Sequence, residues 1–236
     1  MVGAKPVSGL ARDGWTITQT SNFAGSVSTE LTADSMRMRI GRIGLTIISK
    51  APQWTAYVYN ENNKNFCEIP KEQWGKKFVI GGSMNSMKTK DGKSLLSSQP
   101  TGKTMKIFGY RAKEVEVIRA ARPALDMPAE KVSEVWIASD ILPPPQIAEL
   151  FCHHLNIPTQ KGIPLRVFNR AKGRMVSILD TLAIKRGPIA PEIFLPLKGY
   201  KQVKDEMQLI MDDSTEDMIG GPLDKFATPA PGPSRH

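Results

Sequence analysis

Apolar and polar residues alternate with a period of two along most of this chain, and one clear segment has helical spacing instead. In Met36-Arg37-Met38-Arg39-Ile40 the apolar side chains fall on one face and the arginines on the other. Apolar residues then dominate 43–48, and Tyr57-Val58-Tyr59 follows, closed by a polar turn at 60–65. Short runs separated by turn residues are the pattern of an antiparallel meander. The same reading predicts a first hairpin over 14–33 and strands at 35–41, 43–50, 55–60 and 65–69. Further strands are expected at 103–109, 112–119 and 132–138, with a last hairpin over 164–171 and 174–186. Residues 193–203 read as an extended segment, and 204–211 as a short helix with Met207, Ile210 and Met211 on its apolar side. Pro70 suits the first position of a helical turn over KEQW. Pro143-Pro144-Pro145 ends one strand and opens the clearest helix, 145–155. There Ile147, Leu150, Phe151, His154 and Leu155 share a face. The expected fold is α+β: a strongly curved antiparallel sheet covered by one main helix.

Turn residues also set the organisation. Residues 81–102, GGSMNSMKTKDGKSLLSSQPTG, are rich in Gly, Ser and Lys and read as a long exposed loop. Residues 1–13 form an N-terminal extension, 14–203 a single domain carrying that loop, and 204–236 an acidic tail ending in the Pro-rich ATPAPGPSRH.

Composition adds a charge asymmetry. The 236 residues are 40% hydrophobic and 23% charged, with a net charge of +9. Counted by segment, the net charge is +9 over 1–119, +4 over 120–203 and −4 over 204–236. A basic body points to an anionic partner: a lipid surface or an acidic protein. Nucleic acid is disfavoured, because few aromatics interleave with the cations. Arg37 and Arg39 on one strand face, with Lys88, Lys90 and Lys93 in the loop, are the candidate contacts for an anionic surface. No run reaches the length of a membrane span. The N-terminal MVGAKPVSGLARDG has no apolar signal core, so a cytoplasmic protein and one whose signal peptide has been removed both fit.

Candidate chemistry is sparse. His153 and His154 are neighbours on a helix, so they diverge by about 100° and cannot share a metal in the usual helical way. His154, on the apolar stripe, reads as a core or cavity-lining histidine. Cys67 and Cys152 have no ligand-spaced partners, which argues against a zinc site. They would bridge in an oxidising compartment and pack as small hydrophobes in a reducing one. Cys152 beside His153 has no third orienting group, so a thiol nucleophile is not expected. No Ser-elbow, HExxH, phosphate-loop or dinucleotide motif is present. The chain reads as a non-enzyme without cofactor or metal. Met36 and Met38 are the adaptable apolar side chains that would suit a binding face.

The order of segments resembles the LolA-like superfamily, the unclosed β-barrels of lipoprotein carriers and their relatives, including extracytoplasmic domains of unknown function. The matching pieces begin with Met36 to Arg39, Leu45 to Ile48, Ala56 to Tyr59 and Phe66 to Pro70. They continue with Lys106 to Lys113, Glu134 to Ala138 and Phe194 to Tyr200. The resemblance spans roughly 14–203. It implies an unclosed barrel with an apolar concavity and an extracytoplasmic (periplasmic) location. It also implies a lipid or lipoprotein acyl chain, or an apolar protein segment, as the bound partner. On that reading Met36, Met38, Ile147, Leu150, Phe151 and Leu155 line or cover the concavity. The alternative is an accessory or structural subunit docking on a larger protein assembly, membrane-associated ones included, through its basic loop and tail.

Overall fold

The computed structural model describes residues 10–22, 24–74, 94–122, 126–155, 157–158, 160–171, 173–204 and 208–209. Among these, twelve strands form one sheet. They are β1 (Arg12–Ser21), β2 (Gly25–Leu31), β3 (Ser35–Ile40), β4 (Leu45–Lys50), β5 (Ala56–Asn60) and β6 (Asn65–Ile69), then β7 (Leu96–Ile107), β8 (Tyr110–Arg119), β9 (Glu130–Ala138), β10 (Pro164–Ala171), β11 (Arg174–Ile189) and β12 (Lys201–Gln202). One helix, α1 (Pro145–His154), lies between β9 and β10. Short 3-10 turns lie at Lys71–Gln73 and Pro191–Phe194.

The spatial order is β12-β6-β5-β4-β3-β2-β1-β11-β10-β9-β8-β7. Two meanders, β1–β6 and β7–β11, are therefore joined along the β1–β11 ladder, whose register runs from Arg12 opposite Ile189 to Ser21 opposite Leu179. All pairings are antiparallel except β12 with β6. The outermost strands, β12 and β7, do not pair with each other, so the sheet is unclosed. Register shifts mark β1–β11, β7–β8, β8–β9, β9–β10 and β10–β11. An extra residue at such a place bends the strand and increases its twist. The shifts all lie in the seam or the second meander, while β2–β6 keep an unbroken register.

Why β4 is apolar on both sides follows from its place. Leu45 and Ile47 join the main buried cluster with Met36 and Met38. Ile48, pointing the other way, packs with Tyr59, Ile189 and Phe194. The segment after β11 thus crosses the back of the first meander. Tyr59 stacks on Phe66 at 5.3 Å and meets Tyr200 edge-on at 5.1 Å. Both faces of β4 are dry, and alternation gives way to a continuous apolar run.

Two expectations change. Residues 96–102 belong to strand β7 and not to a loop. β7 is an edge strand, which tolerates Pro100 and stays exposed along most of its length, so it shows no apolar face. The segment 193–203 is a 3-10 turn followed by a two-residue strand. Of the expected helix over 204–211, Leu209 is buried in the main cluster, and its carbonyl accepts hydrogen bonds from Asn60 Nδ2 at 2.8 Å and Asn63 Nδ2 at 3.0 Å. Met207, Ile210 and Met211 lie outside the described residues, as do most of the N-terminal extension, 75–93 of the lysine-rich region, and the remainder of the tail.

Candidate functional site

Register builds the candidate site. Ile17 faces Thr29, Thr29 faces Met38, Met38 faces Ile47, Ile47 faces Val58 and Val58 faces Cys67. A second row runs Leu31, Met36, Ser49, Ala56, Ile69. A third runs Val27, Ile40, Leu45, Asn60, Asn65. Side chains directly opposite in a ladder project from the same face. One side of the first meander is thus a nearly continuous apolar surface.

The structure brings five of the six sequence-predicted lining residues into one place. Met36, Met38, Ile147, Leu150 and Phe151 belong to the same buried cluster, and Met36 has no exposed surface. Leu155, half-buried, packs instead against a second cluster built from Val115, Val117, Val135, Ile137, Cys152 and Val167. α1 thus has side chains in both clusters: Ile147, Leu150 and Phe151 in the first and Cys152 in the second. Pro145 opens α1, and Pro144 at the N-cap gives no side-chain hydrogen bond.

Two unpaired hydroxyls lie on this face, where Asn60 in contrast donates to the Leu209 carbonyl. Thr29 and Ser49 are fully buried, and neither Thr29 Oγ1 nor Ser49 Oγ has a hydrogen-bond partner. Thr29 flanks Met38 from β2, and Ser49 flanks Met36 from β4. Trp15, opposite Leu31 on the same face, also carries an indole Nε1 without a partner. A buried hydroxyl left unpaired costs about 1–3 kcal/mol. Gln19, in contrast, is buried and satisfied: its amide donates to the Pro164 carbonyl at 2.9 Å and to Thr181 Oγ1 at 3.1 Å. Sequence reading passed over Thr29 and Ser49 because Ser and Thr are ordinary strand residues. The available signal was parity: Thr29 lies between Val27 and Leu31 in a period-two run.

Of the predicted anionic-surface residues, Arg37 and Arg39 lie among the described residues. Arg37 and Arg39 project from the face opposite Met36 and Met38, as period two requires. Arg37 stands opposite Glu30 and Ile48 and is half-buried, and its Nε has no partner. Arg39 approaches Glu61 at 3.8 Å, and Glu61 accepts a hydrogen bond from Thr46 Oγ1 at 2.6 Å. Lys88, Lys90 and Lys93 lie outside the described residues, as does the side chain of His154. His153 Nε2 lies 3.5 Å from Glu149 Oε1, one helical turn earlier.

Cys67 and Cys152 are both buried, in different clusters, and no disulfide joins them. Burial pushes the Cys152 thiol up to about 11, against the opposing effect of a hydrogen bond from the Gln160 backbone N–H at 3.3 Å. At neutral pH this thiol is protonated, unlike an activated thiolate. Among the described residues, no group of three or more His, Cys, Asp or Glu could hold a metal ion. Among them, too, no helix is long and apolar enough to cross a membrane.

No protein-family model matches the chain, so the LolA-like resemblance rests on the order of its segments. No curated protein matches it. Among solved structures the chain is similar to PNGF-II, with a TM-score of 0.45 at 14% identity, covering 88% of this chain and 33% of that one. The chain thus spans about a third of the length of PNGF-II. It is also similar to an uncharacterised conserved protein from Thermus thermophilus, with a TM-score of 0.43 at 11% identity over 82% of this chain and 91% of that one. A DUF1329 family protein from Desulfovibrio piger gives a TM-score of 0.31 at 11% identity, covering 78% of this chain and 90% of that one.

Proposed function

We propose that this protein is a non-enzymatic binding protein whose apolar sheet face, curved around α1, holds the acyl chain of an amphiphile. The observation that carries the reading is the pair of unpaired hydroxyls, Thr29 and Ser49, set beside Met36 and Met38 in a mostly apolar surface. Fully buried polar groups are ordinarily hydrogen-bonded. A core selected only for stability would carry Val and Ala at these positions. A ligand with a carboxyl, ester or amide head beside its hydrocarbon gives both hydroxyls a partner while the methionines repack against the chain.

Because Met36 and Phe151 are buried against the same cluster, α1 has to move for a ligand to enter. Its start is suited to that. Prolines precede it, no side chain caps it, and its apolar side chains share the buried cluster of the sheet face. Extracytoplasmic operation follows from the resemblance to lipoprotein carriers and belongs to the same proposal.

Native mass spectrometry of protein purified without detergent, combined with titration of a fluorescent fatty acid, tests the reading. Co-purifying lipid or saturable uptake is expected. A homogeneous apo mass together with no uptake overturns it.

A further inference from the structure

Outside the apolar face, exposed apolar side chains and cations come together at one end of the second meander. Phe108 and Gly109 are the two central residues of the β7–β8 hairpin, with φ of +50° and +86°. Positive φ at both positions is the type I′ pattern, for which Asn-Gly is the favoured sequence. A phenylalanine there is strained without being buried: it is 51% exposed. A Cβ added at Gly109 would meet nothing, so no neighbour dictates the shape of this tip. The β9–α1 connection is tied to the same hairpin. The Arg111 N–H donates to Asp140 Oδ2 at 2.9 Å, and the Ser139 N–H donates to the Arg111 carbonyl at 2.8 Å. Two residues beyond Asp140 is Leu142, 65% exposed.

Three cations lie on one face of this hairpin. Lys106 stands opposite Arg111 and Lys113 opposite Thr104, and all three basic residues are exposed. Lys103 is engaged with Glu114 at 3.0 Å. Asp140, held by the Arg111 backbone, offsets part of the charge.

We propose that this tip docks on an anionic membrane surface, with Phe108 and Leu142 entering the headgroup region and Lys106, Arg111 and Lys113 meeting the lipid phosphates. Two features carry the choice of partner. An apolar residue in a strained turn position is retained where function uses it. Three exposed cations on one face of a hairpin with an exposed apolar tip are complementary to a negatively charged interface. The side chains it uses are the exposed ones of β7, β8 and the β9–α1 connection, whereas their neighbours Ile107, Ala112 and Ile141 turn inward into the cluster of Met36 and Met38. The proposal therefore stands whether or not the sheet face holds an acyl chain.

Flotation of the full chain with vesicles tests it, using phosphatidylcholine alone and phosphatidylcholine mixed with phosphatidylglycerol. Binding to the mixed vesicles that is released by salt is expected, with little binding to phosphatidylcholine alone. Phe108→Asn places the favoured residue in the turn, so Tm should hold or rise, while partition onto mixed vesicles falls by about tenfold. Lys106→Gln and Arg111→Gln should each lower it by about fivefold. Absence of binding to the mixed vesicles overturns the proposal and leaves an acidic protein surface as the partner. Unchanged partition of Phe108→Asn with its Tm intact, or equal binding to neutral vesicles, overturns it as well.

Discussion

Replacing Thr29 with valine tests the unpaired-hydroxyl argument directly. The two side chains have nearly the same shape, so Thr29→Val removes one hydroxyl and adds one methyl without opening a cavity. Thr29 has no exposed surface, and its neighbours across the ladder are Ile17 and Met38. Threonine and valine both favour strands, so the backbone is indifferent to the change. What is removed is the penalty of a buried hydroxyl without a partner, about 1–3 kcal/mol. At the middle of that range, about 2 kcal/mol, a domain of this size gains roughly 4–8 °C in Tm. Differential scanning calorimetry on lipid-free protein measures it, and titration of a fluorescent fatty acid on the same preparation gives the second number. The variant should melt higher and bind more weakly. A fall in Tm would refute the reasoning, because it would mean that the hydroxyl is satisfied in the folded protein and contributes to its stability. A higher Tm with unchanged affinity would confine Thr29 to the core and remove it from the site.

Four further outcomes follow from the same structure. Leu150→Ala removes three buried carbons at about 0.8 kcal/mol each and leaves a void, about 3 kcal/mol in all. If α1 opens on its own, its amides should exchange about a hundredfold faster while those of β4 do not change, and parallel acceleration in β4 would sink the independent-cover idea. Gly162→Ala should cost about 2–4 kcal/mol by urea denaturation, because φ is +113° and the new Cβ would lie 2.1 Å from the Ala138 carbonyl oxygen. Glu114→Gln probes a carboxylate that burial alone would push up. Hydrogen bonds from Thr101 and Lys103 outweigh burial and hold it below the ordinary value of 4.5. A depressed folded-state value stabilises the protein above 4.5 and is lost as pH falls below it, so the Tm gap to wild type should close in acid; a gap that does not vary with pH refutes the assignment. Cys152, buried and raised to about 11, should react with iodoacetamide slowly at neutral pH and quickly in urea, and fast native labelling would contradict its burial.

Strands were legible where one face is buried and the other wet. The alternation of Met36 to Ile40 located β3 and assigned Met36 and Met38 to one side and the arginines to the other. Pro143 to Pro145 and the spacing of Ile147, Leu150 and Phe151 located α1. β7 was missed from Leu96 to Gly102 because an exposed edge strand has no apolar face to announce it, and Pro100 reads as a breaker unless the strand is known to be outermost. β11 runs on to Ile189 through Gly187 and Pro188 because β1 pairs with it there. That partner lies at the far end of the chain, where no local pattern can indicate it. The pairing of Thr29 and Ser49 with the methionines was equally invisible, since it depends on the register of three strands at once. The tip was hidden for a different reason: Phe108 reads as one more apolar residue until its backbone conformation is known.

The β1–β11 ladder has a consequence for how the protein is made. Every other antiparallel pair joins strands that follow one another in the chain, so each can zip soon after both leave the ribosome. β1 cannot. Its second partner emerges only after nine further strands and α1, on the order of ten seconds later at ordinary elongation rates. Through that interval the first meander carries an open edge whose backbone donors and acceptors are a template for another nascent copy. Arg12, Asp13 and Gly14 at its start are poor adhesive residues, and Gly14, where a Cβ would lie 2.3 Å from the Leu31 carbonyl oxygen, is sterically fixed. Crowding on polysomes, more than stability of the finished fold, would then limit yield, and slowed synthesis or a bound chaperone would raise it.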